Sequence, residues 1–249
     1  MRLQRAKVKT ATASPFRTGI GFALSSLFVV IAFFVAHKAF AENTDNQDAA
    51  NQQEALRFIE NITARALEVM RDADMTQEER EQHFREILHD GFAVDKIGQL
   101  VLGRHRKKAT PQELQTYHDL FPEFLIKVYA TRLSKLETKD IVIGRIIPHG
   151  SKDLFIRSQV IDDKNETFDV DWRVRPYGDS GYKILDIKIE GISMARTQRD
   201  DFTSRVLDSG MSGLNQYMKD IIEGKLDTDE EEEVHKVEAP DMNQKKRLD

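Results

Sequence analysis

The sequence predicts an α+β fold: a four-stranded antiparallel sheet with helices packed on one face, enclosing an apolar cavity. Three observations carry that prediction. Apolar residues recur at helical spacing between residues 54 and 136, and again between 198 and 222. Between these regions the period changes to two over four short segments. The breaks separating those segments are short, which makes neighbouring strands antiparallel. Helices gathered on one side of such a sheet form an α+β layer pair. A long helix lying across a curved sheet encloses a wedge of space, and the same large apolar residues suit either lining it or filling it.

Residues 1–41 read as a targeting signal peptide. Arg2, Arg5, Lys7, Lys9 and Arg17 form a cationic leader without an acid, an apolar run extends from Gly19 to Ala36, and Ala39-Phe40-Ala41 has the form of a cleavage site. Cleavage is expected after Ala41. The alternative is an uncleaved anchor, because the run just suffices to span a bilayer. Either way the remainder is exported. Residues 42–53 are polar and aperiodic, a linker.

Phe58, Ile59, Ile62, Ala66, Val69 and Met70 make the stripe of the first helix. Thr76 and Glu79 form a capping box for the second, in which Phe84, Ile87 and Leu88 share a face and Gly91 marks the end. Asp95 is expected to cap a short helix containing Ile97, Leu100 and Val101, closed by Gly103. Thr110, Pro111 and Glu113 start the next: a cap, a first-turn proline and a reciprocal carboxylate. Its stripe runs through Leu114, Tyr117, Phe121, Phe124, Leu125, Val128, Tyr129, Leu133 and Leu136. Pro122 is expected to kink or split it, since the ring clashes with the His118 carbonyl. Strands are expected at 140–147, 153–161, 166–175 and 182–190. The third alternates Phe168, Val170, Trp172 and Val174 with Asp169, Asp171, Arg173 and Arg175, so one face is buried and the other wet. The last helix, 198–222, is interrupted by Gly210 and Gly213. Residues 223–249, with six acids between Asp227 and Glu233, read as a disordered acidic tail.

Without the leader the chain has six fewer cations than its 37, against 42 acids, so the net charge falls from −5 to −11. Nonspecific nucleic-acid binding is excluded on that ground. The absence of cysteine removes disulfides and thiolate metal sites. His83, His89, His105, His118, His149 and His235 are scattered, and no metal, phosphate-loop, dinucleotide or nucleophile motif occurs, so no cofactor is expected. Asp169 and Asp171 are candidate bases, but solvated carboxylates beside Arg173 and Arg175 are the simpler reading. A cavity without a nucleophile–base constellation points to binding, not to an enzyme. The run Arg104, His105, Arg106, Lys107 and Lys108 precedes a helix N-terminus, which favours anions. It reads as a solvated loop or as a contact for a phosphate head group or an acidic partner.

Two linked blocks resemble a known family. Leu102-Gly103, Ala109-Thr110-Pro111, Glu113, Tyr117 and Phe121, continuing into residues 125–133, form the first. Tyr182, Lys183, Ile184, Asp186, Glu190, Gly191, Ile192, Ser193, Arg199 and Phe202 form the second. Their order and spacing resemble the MlaC family, the toluene-tolerance auxiliary component of an ABC transporter, across residues 54–222. The chain carries His105-Arg106 where that family has an aromatic pair, and Tyr182 where it has Trp. The resemblance implies a phospholipid-binding domain over 54–222 and a periplasmic phospholipid carrier. Such a carrier shuttles lipid between an outer-membrane lipoprotein complex and an inner-membrane ABC transporter with an MCE-type subunit, and so maintains outer-membrane lipid asymmetry. Ile97 and Leu100 on the short helix, Phe121, Leu125 and Tyr129 on the long one, and Ile143, Phe155, Val160, Val170, Trp172 and Ile187 on the strands are the candidates for lining a lipid cavity. Plain core packing is the alternative for each. Arg104, Arg106, Lys107 and Lys108 are candidates for head-group or partner contact. The competing function is a periplasmic protein-binding adaptor without lipid cargo.

Overall fold

The computed structural model describes residues 25–134, 138–150 and 152–226, with side chains from residue 48 onward except Leu133 and Ser134. The first 24 residues of the expected leader, Leu136 and the acidic tail from Asp227 lie outside the described residues. The chain divides into two units, residues 1–49 and 50–249. In the first the backbone is helical from Ser25, within a helix α1 of Ser25–Arg71. The stretch expected as a linker, 42–53, is therefore helical; its alanines, glutamines and glutamate favour that state. Among the described residues no helix is long and apolar enough to cross a membrane.

In the second unit α1 continues to Arg71 and buries Ala55, Ile59 and Ile62. Helix α2 (Gln77–Gly91) begins at the expected capping box: the Thr76 N–H donates to Glu79 at 2.8 Å and the Glu79 N–H to the Thr76 hydroxyl at 3.3 Å. Arg80 donates to the Val69 and Asp72 carbonyls, tying the end of α1 to α2. Helix α3 (Val94–Leu102) starts after Ala93 without a side-chain cap, so Asp95 lies inside the first turn and is not the cap. A 3₁₀ turn, Gly103–Lys107, leads to helix α4 (Pro111–Ser134). Helix α4 runs unbroken through Pro122. The lost hydrogen bond and clash cost about 3 kcal/mol. Burial of the flanking Phe121, Phe124 and Leu125, at about 1.5–3 kcal/mol each, outweighs that.

The sheet has five antiparallel strands in the order β1 (Thr138–His149), β2 (Asp153–Asp162), β3 (Thr167–Pro176), β4 (Tyr182–Ile189) and β5 (Ile192–Ser193). The first four are the expected meander. The fifth was not expected. It arises because Glu190 (φ 50°) and Gly191 (φ 82°) both take positive φ, as a two-residue hairpin turn requires, and fold Ile192 back onto Ile189. Helix α5 (Met194–Ile222) follows at once, four residues before its expected start. Ser193 caps it by accepting from the Arg196 N–H at 3.1 Å. Gly210 breaks its geometry (φ 71°, ψ −175°), as expected.

Two apolar cores result. One joins α3, α4 and α5 through Tyr117, Phe121, Phe124, Phe202, Leu214 and Met218. The other joins α1 to the sheet through Ile59, Ile156, Trp172, Val174, Tyr182 and Ile184. Gly98 allows α3 to approach α4: a Cβ there would stand 3.1 Å from the Phe121 ring.

Candidate functional site

The two cores do not merge everywhere. Between them lies a cleft of about 240 Å³, walled by Leu88, Val101, Phe121 and Leu125 from the helical core and by Ile62, Ile87, Val160, Val170 and Trp172 from the sheet core. Its lining is almost wholly aliphatic and aromatic; Thr138, Asp186 and Gln198 are the polar side chains that line it. A cavity of about 150 Å³ with similar walls takes benzene. By that scale the cleft holds roughly ten carbons, part of one acyl chain.

Of the eleven residues proposed as lining, the structure brings eight to this cleft: Ile97, Phe121, Leu125, Tyr129, Val160, Val170, Trp172 and Ile187. Three lie elsewhere. Leu100, 45% exposed, faces solvent from α3. Ile143 packs into the sheet core without reaching the cleft. Phe155 is buried on the opposite face of the sheet, where the Lys188 ammonium sits 4.4 Å above its ring and His149 meets it edge-on at 4.9 Å. Parity explains the difference: Phe155 and Val160 are five positions apart in the strand, an odd offset, so the two point to opposite faces.

Part of the rest of the wall comes from residues placed on helix faces by their spacing but assigned to no site. Ile62, Ala66 and Met70 from α1 and Phe84 and Ile87 from α2 form one side. The i, i+4 spacing of Ile62, Ala66 and Met70 and the i, i+3 spacing of Phe84 and Ile87 were the available signal. Ile141, Phe168, Leu185 and Ile189 complete the sheet side, and Met194, Ala195 and Gln198 from α5 close one end. That α5 begins at Met194 was not foreseen, so this end was missed.

Polar groups near the cleft are already engaged. Asp186 accepts from the Ser193 hydroxyl at 2.6 Å and the Ala195 N–H at 3.0 Å, clamping α5 to β4. The Trp172 indole N–H donates to the Ser158 hydroxyl at 2.8 Å, so its polar edge is satisfied inside the sheet core. The Tyr117 hydroxyl donates to the Gly98 carbonyl at 3.0 Å, and burial pushes its phenol well above the usual value. The candidate base Asp171 is held by Arg157 in a two-pronged ion pair of 2.7 and 2.8 Å, which keeps its carboxyl below the usual range and makes it a poor proton acceptor. Among the described residues no cluster of three metal-ligating side chains occurs.

Arg104, Arg106, Lys107 and Lys108 are all exposed on the 3₁₀ turn and its exit, and none lines the cleft. His105 between them is buried. Burial, and then Arg104 and Lys108, lower its pKa, and its Nε2 has no hydrogen-bond partner among the described residues.

The architecture recurs in a solved structure. The chain is similar to a phospholipid-binding protein from Ralstonia solanacearum solved in complex with a phospholipid, with a TM-score of 0.59 and 22% identity, covering 68% of this chain and 97% of that one. The sequence matches the family described as MlaC protein over residues 60–220, well over half of its length and all of the layers that wall the cleft except the start of α1. The chain therefore belongs to the MlaC family.

Proposed function

We propose that this protein is a periplasmic phospholipid carrier that shuttles lipid between an outer-membrane lipoprotein complex and an inner-membrane ABC transporter with an MCE-type subunit, maintaining outer-membrane lipid asymmetry. The observation that carries the reading is the apolar cleft between two separate cores. An interior meant only for stability would close it, because an unfilled apolar space forfeits packing contacts. Membership of the MlaC family and the phospholipid carried by the Ralstonia protein support lipid as the cargo. Export of the chain by residues 1–41 places it in the right compartment.

The energetics set the demands on the cleft. Each methylene removed from water is worth about 0.8 kcal/mol. Roughly ten carbons in the cleft recover about 8 kcal/mol, whereas a diacyl lipid of roughly 30 methylenes needs on the order of 25 kcal/mol. A full load therefore requires the two cores to part further than they do in this conformation. The lipid-lining roles belong to Ile97, Phe121, Leu125, Tyr129, Val160, Val170, Trp172 and Ile187. The reading is of a binding and transport protein, not an enzyme, and it requires no cofactor.

The test is transfer of a labelled phospholipid between donor and acceptor vesicles. The protein should accelerate transfer, and Leu125→Trp, which places an indole in the cleft, should cut the rate at least tenfold while the thermal midpoint stays within a few degrees. No acceleration by the wild type, together with a folded state that takes up no lipid, would instead favour a protein-binding adaptor.

A further inference from the structure

We propose that one end of the cleft, where the C-terminus of α3, the 3₁₀ turn, the β4–β5 hairpin and the start of α5 meet, docks directly on an anionic lipid bilayer. Two independent features of this end carry the proposal. The first is charge. Arg104, Arg106, Lys107 and Lys108 are all exposed, and among the described residues none makes an ion pair. Several cations elsewhere are matched, Arg157 by Asp171, Arg173 and Arg175 by Asp153, and Lys127 by Glu81, whereas these four stand within five consecutive positions. The Arg199 side chain lies against Gly103, where a Cβ would stand 3.4 Å from its Cδ, so α5 adds a further cation to the same corner.

The carboxylates of this end do not cancel the cluster. Asp186 is occupied in capping α5, Glu190 accepts from the Asp169 N–H, and Asp201 pairs with Arg205 at 3.1 Å. Asp200 lies 3.9–4.0 Å from both Arg196 and Arg199.

The second feature is exposed aliphatic surface. Leu100, Ile189 and Ile192 are 45%, 37% and 43% exposed. Ile189 also lines the cleft and pairs across the hairpin with Ile192, so the apolar lining continues onto the outer surface. A bilayer matches this combination layer by layer: lipid phosphates for the cations, and the boundary of head groups and acyl chains for the isoleucines and leucine. The remainder of the chain carries a net negative charge, which an anionic surface repels, so an approach with this end leading is favoured. Docking would thus present the mouth of the cleft to the bilayer. Its purpose rests on the carrier reading; the docking itself is measured without it.

The experiment is co-sedimentation of the protein, purified from the periplasm of an exporting host, with vesicles of phosphatidylcholine alone and of phosphatidylcholine mixed with phosphatidylglycerol. Each cation near an anionic surface contributes roughly fivefold in affinity. The wild type should bind the mixed vesicles at least tenfold more tightly than the neutral ones. Replacing Arg104, Arg106, Lys107 and Lys108 by Gln should weaken mixed-vesicle binding by roughly six hundredfold. Replacing Arg145, Lys139, Lys152 and Lys164 on the sheet by Gln should weaken it by less than tenfold. Ile192→Ser should weaken binding with no change in salt dependence. If the quadruple variant does not fold, Arg106→Gln alone should show a loss of about fivefold.

Equal binding to both vesicle types, or equal losses from the two quadruple variants, would overturn the proposal. So would a turn variant that keeps vesicle binding but loses binding to a polyglutamate peptide, which would assign the patch to a protein partner. Phospholipid copurifying with each variant is measured in parallel. Docking lost with cargo retained leaves the carrier reading intact, and cargo absent with docking retained refutes the carrier reading alone.

Discussion

Asp153 shows how single residues set stability away from the cleft. Its side chain is only 4% exposed and sits 2.5 Å from both Arg173 and Arg175 on the outer face of the sheet. Burial alone would raise its carboxyl, but hydrogen bonds from Arg175 and then Arg173 outweigh it and hold the group below the usual value of 3.8. A depressed folded-state pKa contributes stability above the unfolded value, and that stability is lost as pH falls through the folded one. Asp153→Asn should therefore cost about 2 kcal/mol at pH 7. The difference from wild type should shrink as pH falls below 3.8 and through the lower folded-state value. Denaturant titrations at several pH values check this, and a pH-independent difference would mean that the effect is packing and not charge. At this scale the sequence was readable where parity was respected. Val170, Trp172 and Val174 are buried as their alternation predicts, while Phe155 was misplaced because hydrophobicity was weighed ahead of its position one step out of phase.

Among the elements, α5 carries the most specific local chemistry. Its N-terminus is held by Ser193 and by Asp186 from β4, so Asp186→Ala should destabilise by about 1–2 kcal/mol through loss of a charged cap. Gly210→Ala should cost about 1–2 kcal/mol, since a Cβ is disfavoured at φ 71°. Thermal unfolding measures both, and a Gly210→Ala variant as stable as wild type would mean that the break relaxes into regular helix. The capping boxes at Thr76 and Thr110 and the four-stranded meander were legible because each is fixed by neighbours a few residues away. The start of α5 was not, because Asp186 lies in another element and acts through space. The short β5 falls between the expected strand 182–190 and the expected helix 198–222, in residues assigned to neither, although Glu190-Gly191 was the turn signal. Eight lining residues could be chosen from stripe and alternation, whereas the α1 and α2 wall required knowing which faces of those helices turn toward the sheet.

For the molecule as a whole, the central feature is that α3, α4 and α5 form one core and α1 with the sheet another, leaving about 240 Å³ between them. That division is a property of packing and not of any single motif. It leaves an unfilled seam between the layers, lined by aliphatic and aromatic side chains that gain by covering hydrocarbon. The distribution of charge adds direction: the chain is acidic as a whole, and Arg104, Arg106, Lys107 and Lys108 stand exposed together on the 3₁₀ turn and its exit. Native mass spectrometry of the protein gently purified from the periplasm of an exporting host tests the central claim most directly. The account predicts a species heavier than the chain by the mass of phospholipid, lost or reduced in Leu125→Trp. A wild-type protein that is folded and exported but consistently carries no lipid would contradict it.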